Sequence, residues 1–299
     1  MRRSLTPTEV TPALLRRHPL PHYTADSTKT ARGRLLVIAG SRRIPGAALH
    51  ACRAALRSGC GNIRLATPQS VAAAIGVSQP ALLVIPLPET PVGSIALTAI
   101  PTIQRQYSQC QAAVIGPGID EVPQTDDVAR HIVETATIPL VVDAQAILAL
   151  PSGQPIRAKA PRLYTPHEEE MAALAGQSEK RISQDRARAA VDYATAARAT
   201  LVLKGRQTLI ASPTGRLYVN TAGSRALGTA GSGDTLAGIA GSLLAQGLDT
   251  AAAALWAVYL HALAGEDVAR DLGEDGPLAS DFIDRLPTLL RSLRTESLK

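Results

Sequence analysis

From residue 34 to residue 205 the chain repeats one pattern. A short, uninterrupted apolar run ends in Gly, Pro, Asp or Lys, and in most cases a stretch of helical periodicity follows. RLLVIAG (34–40), NIRLATP (62–68), ALLVIPL (81–87), AAVIGPG (112–118), IPLVVDA (138–144), RLYTP (162–166) and TLVLKG (200–205) are such runs. AALHACRAALRSG (47–59) reads as a helix with glycine at its C-terminal end. Continuous rather than alternating hydrophobicity belongs to strands buried on both faces. The pattern therefore predicts an α/β fold with a largely parallel central sheet and helices on both faces. TLIASPTGRLYVN (208–220) predicts a hairpin turning at PTGR, hence a few antiparallel edge strands. Thr6 and Glu9 have capping-box spacing, which predicts a leading helix over 6–17. The polar, turn-rich stretch 22–33 predicts a mobile connection. Nothing divides the chain, so 1–299 is expected to be a single domain.

Composition narrows this picture. Hydrophobic residues make up 45% and aromatics 3%, so the core must be built from Ala, Leu, Val and Ile. The net charge of +6 is carried by scattered basic residues with few aromatics to stack on bases. Attraction for a polyanionic small molecule such as a nucleotide explains the sign, and no nucleic-acid partner is expected. Cys52, Cys60 and Cys110 are odd in number without CxxC spacing, which suggests neither a disulfide framework nor a zinc site. No apolar region follows the basic N-terminus, and AAAALWAVYL (251–260) is too short to span a bilayer. A cytoplasmic protein with no membrane partner is expected.

In such sheets ligands bind beyond the carboxyl ends of the strands, so the strand-end turns carry the candidate chemistry. GTAGSGDTLAG (228–238) sets Asp234 among glycines at the start of a helix. Glycines at 231 and 233 let backbone N–H groups converge without Cβ atoms in the way, and the helix field favours an anion there. A carboxylate beside such a hole can take a proton from a hydroxyl while the N–H groups hold an incoming phosphoryl group. The bland reading of Asp234 is a helix cap. GSRRIPGA (40–47) is not a Walker loop, and no turn fits the dinucleotide fingerprint. Lys204 and Arg206 in KGRQT suit nucleotide phosphates, although strand-end lysines are usually just solvated. His167 and the three glutamates of TPHEEEM (165–171) fit a helix start, and His167 alone is more often structural than catalytic. Asp143 ends a very apolar strand and is either functional or a cap for the next helix.

Taken in order, these turns resemble the ADP/ATP-dependent NAD(P)H-hydrate dehydratase family, which has the ribokinase-like fold. The matching segments are 40–68, 113–118, 139–144, 165–171, 201–220, 229–247 and 261–287, nearly the whole chain from about residue 6. The resemblance implies repair of hydrated NADH or NADPH. A nucleotide, ADP or ATP, phosphorylates the substrate hydroxyl, and loss of phosphate restores the ring double bond. It further implies Asp234 as the base at the substrate, and the amides of Ala230, Gly231, Ser232 and Gly233 as the anion hole. Lys204, Gly205, Arg206, Gln207, Thr208 and Gly233 would contact the nucleotide, and Ala47, Gly118 and His167 the hydrated coenzyme. Magnesium would ride on the phosphates, with no protein metal cage. A homo-oligomer is expected. Many relatives carry an N-terminal epimerase domain for which this chain has no room, so only the S epimer is expected to be repaired. The pattern departs from the family at GPGID, VDAQAI and Glu169. The alternatives are a kinase of the hydroxyethylthiazole type, which would stop at the phosphate ester, and a nucleotide-binding regulator without turnover.

Overall fold

A computed structural model describes residues 5–24 and 26–296. Among these, ten strands form one sheet: β1 (Thr8–Glu9), β2 (Arg34–Ile38), β3 (Asn62–Pro68), β4 (Leu82–Leu87), β5 (Ala112–Ile115), β6 (Leu140–Val142), β7 (Arg162–Tyr164), β8 (Thr200–Leu203), β9 (Thr208–Ala211) and β10 (Leu217–Asn220). The order is β1-β10-β9-β8-β7-β6-β5-β2-β3-β4. All pairings are parallel except those of β9 with β8 and with β10. The sheet thus has the predicted class, with the hairpin on its antiparallel side.

The helices are α1 (Pro12–Leu15), α2 (Pro45–Arg57), α3 (Gln69–Ser78), α4 (Ile100–Gln104), α5 (Pro123–Thr135), α6 (Gln145–Leu148), α7 (Glu168–Ala175), α8 (Glu179–Gln184), α9 (Arg186–Ala197), α10 (Ser232–Ala245), α11 (Thr250–Leu272) and α12 (Ala279–Glu296). They cover both faces. Along β2, Leu35 and Val37 enter a core built with α2, α10, α11 and α12, while Leu36 and Ile38 enter a second core with α5 and α9. Strands buried on both sides are why the sequence shows continuous rather than alternating apolar runs.

Small side chains let α10 lie close to its neighbours. The space a Cβ on Gly238 would need is taken by the carbonyl of Ala51 on α2, and that of Gly241 by Val114 of β5. This close contact seats the N-terminal turns of α2 and α10 side by side.

The leading helix over 6–17 does not form. Thr8–Glu9 is strand β1, parallel to β10, and only Pro12–Leu15 is helical, capped by the Thr11 hydroxyl. The open edge of β10 offers unpaired backbone groups, and the Val10 N–H donates to the Val219 carbonyl at 2.8 Å. Glu9 accepts from Thr221 Oγ1 at 2.7 Å instead of closing a capping box. In the connection 22–33, apart from residue 25, there are turns and neither helix nor strand. Tyr23 ties it down, its hydroxyl donating to Gln246 Oε1 at 3.0 Å.

Candidate active site

The strand order reverses between β2 and β5, and a crevice beyond the carboxyl ends of that pair is where such sheets bind ligands. Gly40 follows β2 and donates to the Pro117 carbonyl at 2.8 Å, joining the two strand-end turns. Gly118 sits against the start of α2: a Cβ there would fall 2.7 Å from that of Ala47. Two of the residues expected at the hydrated coenzyme, Ala47 and Gly118, are thus direct neighbours at the switch point.

Gly231 is the N-cap of α10, in the left-handed region at φ 87° and packed on His50 of α2, one helical turn beyond Ala47. Among the described residues, the N–H groups of Ala230, Gly231 and Gly233 have no hydrogen-bond partner. The N–H of Ser232 is already committed to the Thr229 carbonyl at 3.2 Å. The expected anion hole therefore has three free donors from 230–233 rather than four. The Ser232 hydroxyl instead meets His261 Nε2 of α11 at 3.0 Å. Burial pushes the His261 imidazole down to about 4, so it is neutral near pH 7.

Asp234 occupies the first turn of α10. Burial, and after it the nearby Asp143 carboxylate, push its carboxyl up to about 6, with the Lys204 ammonium opposing. That value suits a base working near neutral pH.

Behind this turn three strand ends converge. Asp143 follows β6, Thr165 follows β7 and Lys204 follows β8. Asp143 Oδ1 accepts from Thr165 Oγ1 at 2.6 Å and from Lys204 Nζ at 3.1 Å. Glu170 of α7 approaches the same ammonium at 3.5 Å. Burial works to lower the pKa of Lys204, but Asp143 and then Glu170 outweigh it and hold it above its ordinary value. Asp143 does not cap α6: the N-cap is Ala144, without a side-chain bond and at φ 49°, ψ −130°. A residue with a Cβ in that conformation costs about 1–3 kcal/mol, which surrounding structure must impose.

A cleft of about 1130 Å³ opens beside the α10 turn, lined by all of Lys204–Thr208 together with Ser232, Gly233, Asn220, Leu236 and His261. A nucleotide fits such a volume. Arg186 braces the KGRQT segment from behind, donating to the carbonyls of Gln207 at 2.8 Å and Lys204 at 2.9 Å. His167 lines this cleft and not the Ala47–Gly118 pair. It N-caps α7 in a reciprocal bond with Glu170, so the structural role weighed for it is present. Thr165, Glu170, Arg186 and His261 were not singled out from sequence. Only Glu170, at capping distance from His167, has a local signal.

The family model described as NAD(P)H-hydrate dehydratase matches residues 35–288. The ADP-dependent (S)-NAD(P)H-hydrate dehydratase of Xanthomonas campestris pv. campestris is 39% identical over 287 residues, covering 95% of this chain and 96% of that one. The bifunctional NAD(P)H-hydrate repair enzyme Nnr of Moorella thermoacetica is 36% identical over 282 residues; the match takes in 94% of this chain but only 53% of that protein. The chain thus spans about half the length of such bifunctional relatives. The crystal structure of the ADP/ATP-dependent NAD(P)H-hydrate dehydratase from Bacillus subtilis, co-crystallised with ATP and Mg²⁺, superposes with a TM-score of 0.83 at 28% identity, over 97% of this chain and 100% of that one. The chain is therefore a member of the NAD(P)H-hydrate dehydratase family.

Proposed function

We propose that the protein catalyses nucleotide-dependent dehydration of the S epimer of hydrated NADH or NADPH, returning the damaged coenzyme to its reduced form. One observation carries this reading. Asp234, raised to about 6, lies in a turn that has the cleft-lining Gly233 on one side and, through Gly231, the helix bearing Ala47 on the other. Asp234 takes the proton from the substrate hydroxyl. The freed oxygen bonds to the terminal phosphorus of ADP or ATP as the phosphoanhydride bond breaks, leaving AMP or ADP. The free amides of Ala230, Gly231 and Gly233, at the positive end of α10, stabilise charge on the transferring group. Phosphate then leaves, a ring proton is lost, and the double bond is restored.

Lys204–Thr208 hold the nucleotide on this reading, with His167 lining the same cleft, and Ala47 and Gly118 hold the coenzyme. No group of three or more His, Cys, Asp or Glu among the described residues is placed to hold a metal. A magnesium ion accompanying the nucleotide would ride on its phosphate oxygens and neutralise charge there. A homo-oligomer rests on the resemblance. A cytoplasmic setting is consistent with three cysteines that are all free and buried. No helix among the described residues is long and apolar enough to cross a membrane.

The test is recovery of reduced-nicotinamide absorbance from purified S hydrate, with and without ADP or ATP. Recovery that requires nucleotide and releases one phosphate per coenzyme is expected, with the R epimer giving no more than spontaneous epimerisation allows. A stable phosphorylated product, or binding without turnover, would return the kinase or the regulator.

A further inference from the structure

Asp143 is 1% exposed, charged, and followed by a residue in a conformation that side chains rarely adopt. It caps no helix with its side chain. A polar strand end needing only hydrogen bonds would not require a buried charge there. What the charge does hold is Lys204, whose Nζ also touches Glu170 and lies beside the α10 turn: a Cβ on Gly233 would sit 3.6 Å from it. Asp234 follows directly, and among the described residues it makes no ion pair. Left to itself, an ammonium in that place would pair with Asp234, and a carboxylate locked by a cation is a weak base.

We propose that Asp143 is a positioning residue for the base: with Glu170 it pins the Lys204 ammonium beside the Gly233–Asp234 turn, and its own negative charge keeps that ammonium from locking Asp234 as an ion-paired, unreactive carboxylate. Three carboxylates, Asp143, Glu170 and Asp234, share one ammonium, so two negative charges are in excess, and Asp234 is the carboxylate that makes no ion pair with it. The remaining titratable groups facing the turn are His261 on Ser232, His50 against Gly231 and His167 on Glu170. Burial lowers His261 and His50, so neither supplies a competing cation near neutral pH. Thr165 holds Asp143 from β7 without changing the charge balance.

The inference rests on Asp234 being the base of the proposed reaction, but it can be read without turnover. Carboxyl ¹³C NMR of the whole protein, with the Asp234 signal assigned by its loss in Asp234→Asn, gives the titration midpoint directly. The parent midpoint is expected near 6. Asp143→Asn should move it down by roughly one pH unit, because Lys204 is then free to pair, and Lys204→Gln should move it up by a similar amount. Thr165→Val, which removes a bond and no charge, should leave it within a few tenths of the parent. The acid limb of kcat/KM should follow the NMR midpoint in each variant. Unmoved midpoints in both charge variants, or movement in the same direction, would overturn the assignment. If Asp143→Asn does not fold, an upward shift in Lys204→Gln upholds it and an unmoved midpoint sinks it. A parent protein without turnover on S hydrate would instead remove the proposed reaction and leave the electrostatic result standing.

Discussion

Asp234 sits where the helix field favours a charged carboxylate by about 0.3–1 kcal/mol, and still its carboxyl is pushed up to about 6. Burial and the Asp143 charge win because each pKa unit is worth about 1.4 kcal/mol, and the net rise above 3.8 is about two units. The sign for stability follows. A folded value above the unfolded one means the native state binds more protons between about pH 4 and 6, so stability falls as pH rises through that window. Above it the full cost of the buried charge is present. Asp234→Asn, which keeps size and capping ability, should therefore stabilise the protein near pH 8 by about 1–2 kcal/mol in urea unfolding, allowing for partial exposure. Its turnover should fall by roughly 10²–10⁴, the worth of a positioned base. A more stable, inactive protein fits a base; near-normal turnover fits a cap and would refute the mechanism. In the parent, kcat/KM should fall below about pH 6 as this group takes up its proton. At this scale the sequence showed Asp234 among its glycines but left Asp143 undecided between function and capping. The choice depends on Lys204, a residue 61 positions away along the chain.

Helix α10 carries the turn, and its position is fixed by how closely it approaches α2. Alanine normally stabilises a helix relative to glycine by about 1 kcal/mol. At Gly238 the new Cβ would run into the Ala51 carbonyl, whose carbon would be 2.9 Å away, so the helices must move apart. Gly238→Ala should destabilise by about 1–3 kcal/mol and lower kcat by shifting the Asp234 turn. Gly46→Ala in α2, with nothing within 4 Å of the added carbon, should be neutral or stabilising by up to about 1 kcal/mol. Equal effects of the two substitutions in urea titrations would mean the α2–α10 contact does not set the turn. Most elements were legible in advance, since the buried strands announce themselves as apolar runs with clear stops. The exception was the N-terminus, where the capping-box spacing of Thr6 and Glu9 lost to an open strand edge at β10.

Across the whole molecule, the cleft joins β8, the β9–β10 hairpin, α10 and α11, elements scattered over some seventy residues of chain. A nucleotide bound there bridges them only in the native state, so it should stabilise the protein by mass action. At a free ADP concentration about 100 times Kd the gain is about 2.7 kcal/mol, a rise in Tm of roughly 4 °C for a chain of this size. Lys204→Ala should reduce that shift by weakening the nucleotide site, with a loss on the order of 1–3 kcal/mol in binding. It should also lower the Tm of the unliganded protein, because it leaves Asp143 and Glu170 buried without their cation. No shift with ADP or ATP in differential scanning fluorimetry would take the nucleotide out of this cleft.

The sequence by itself determined the sheet class, the strand ends and the segment of backbone that lines the cleft. These follow from hydrophobic periodicity and from glycine placement, which are properties of neighbouring residues. Only the tertiary structure decided that Asp143, Thr165 and Lys204 meet beside Asp234, that Ser232 turns to His261, and that Thr8–Glu9 pair with β10. Such contacts exist only once strand order and register bring distant chain segments together, and a charge at a strand end looks the same in sequence whether it faces water or another charge.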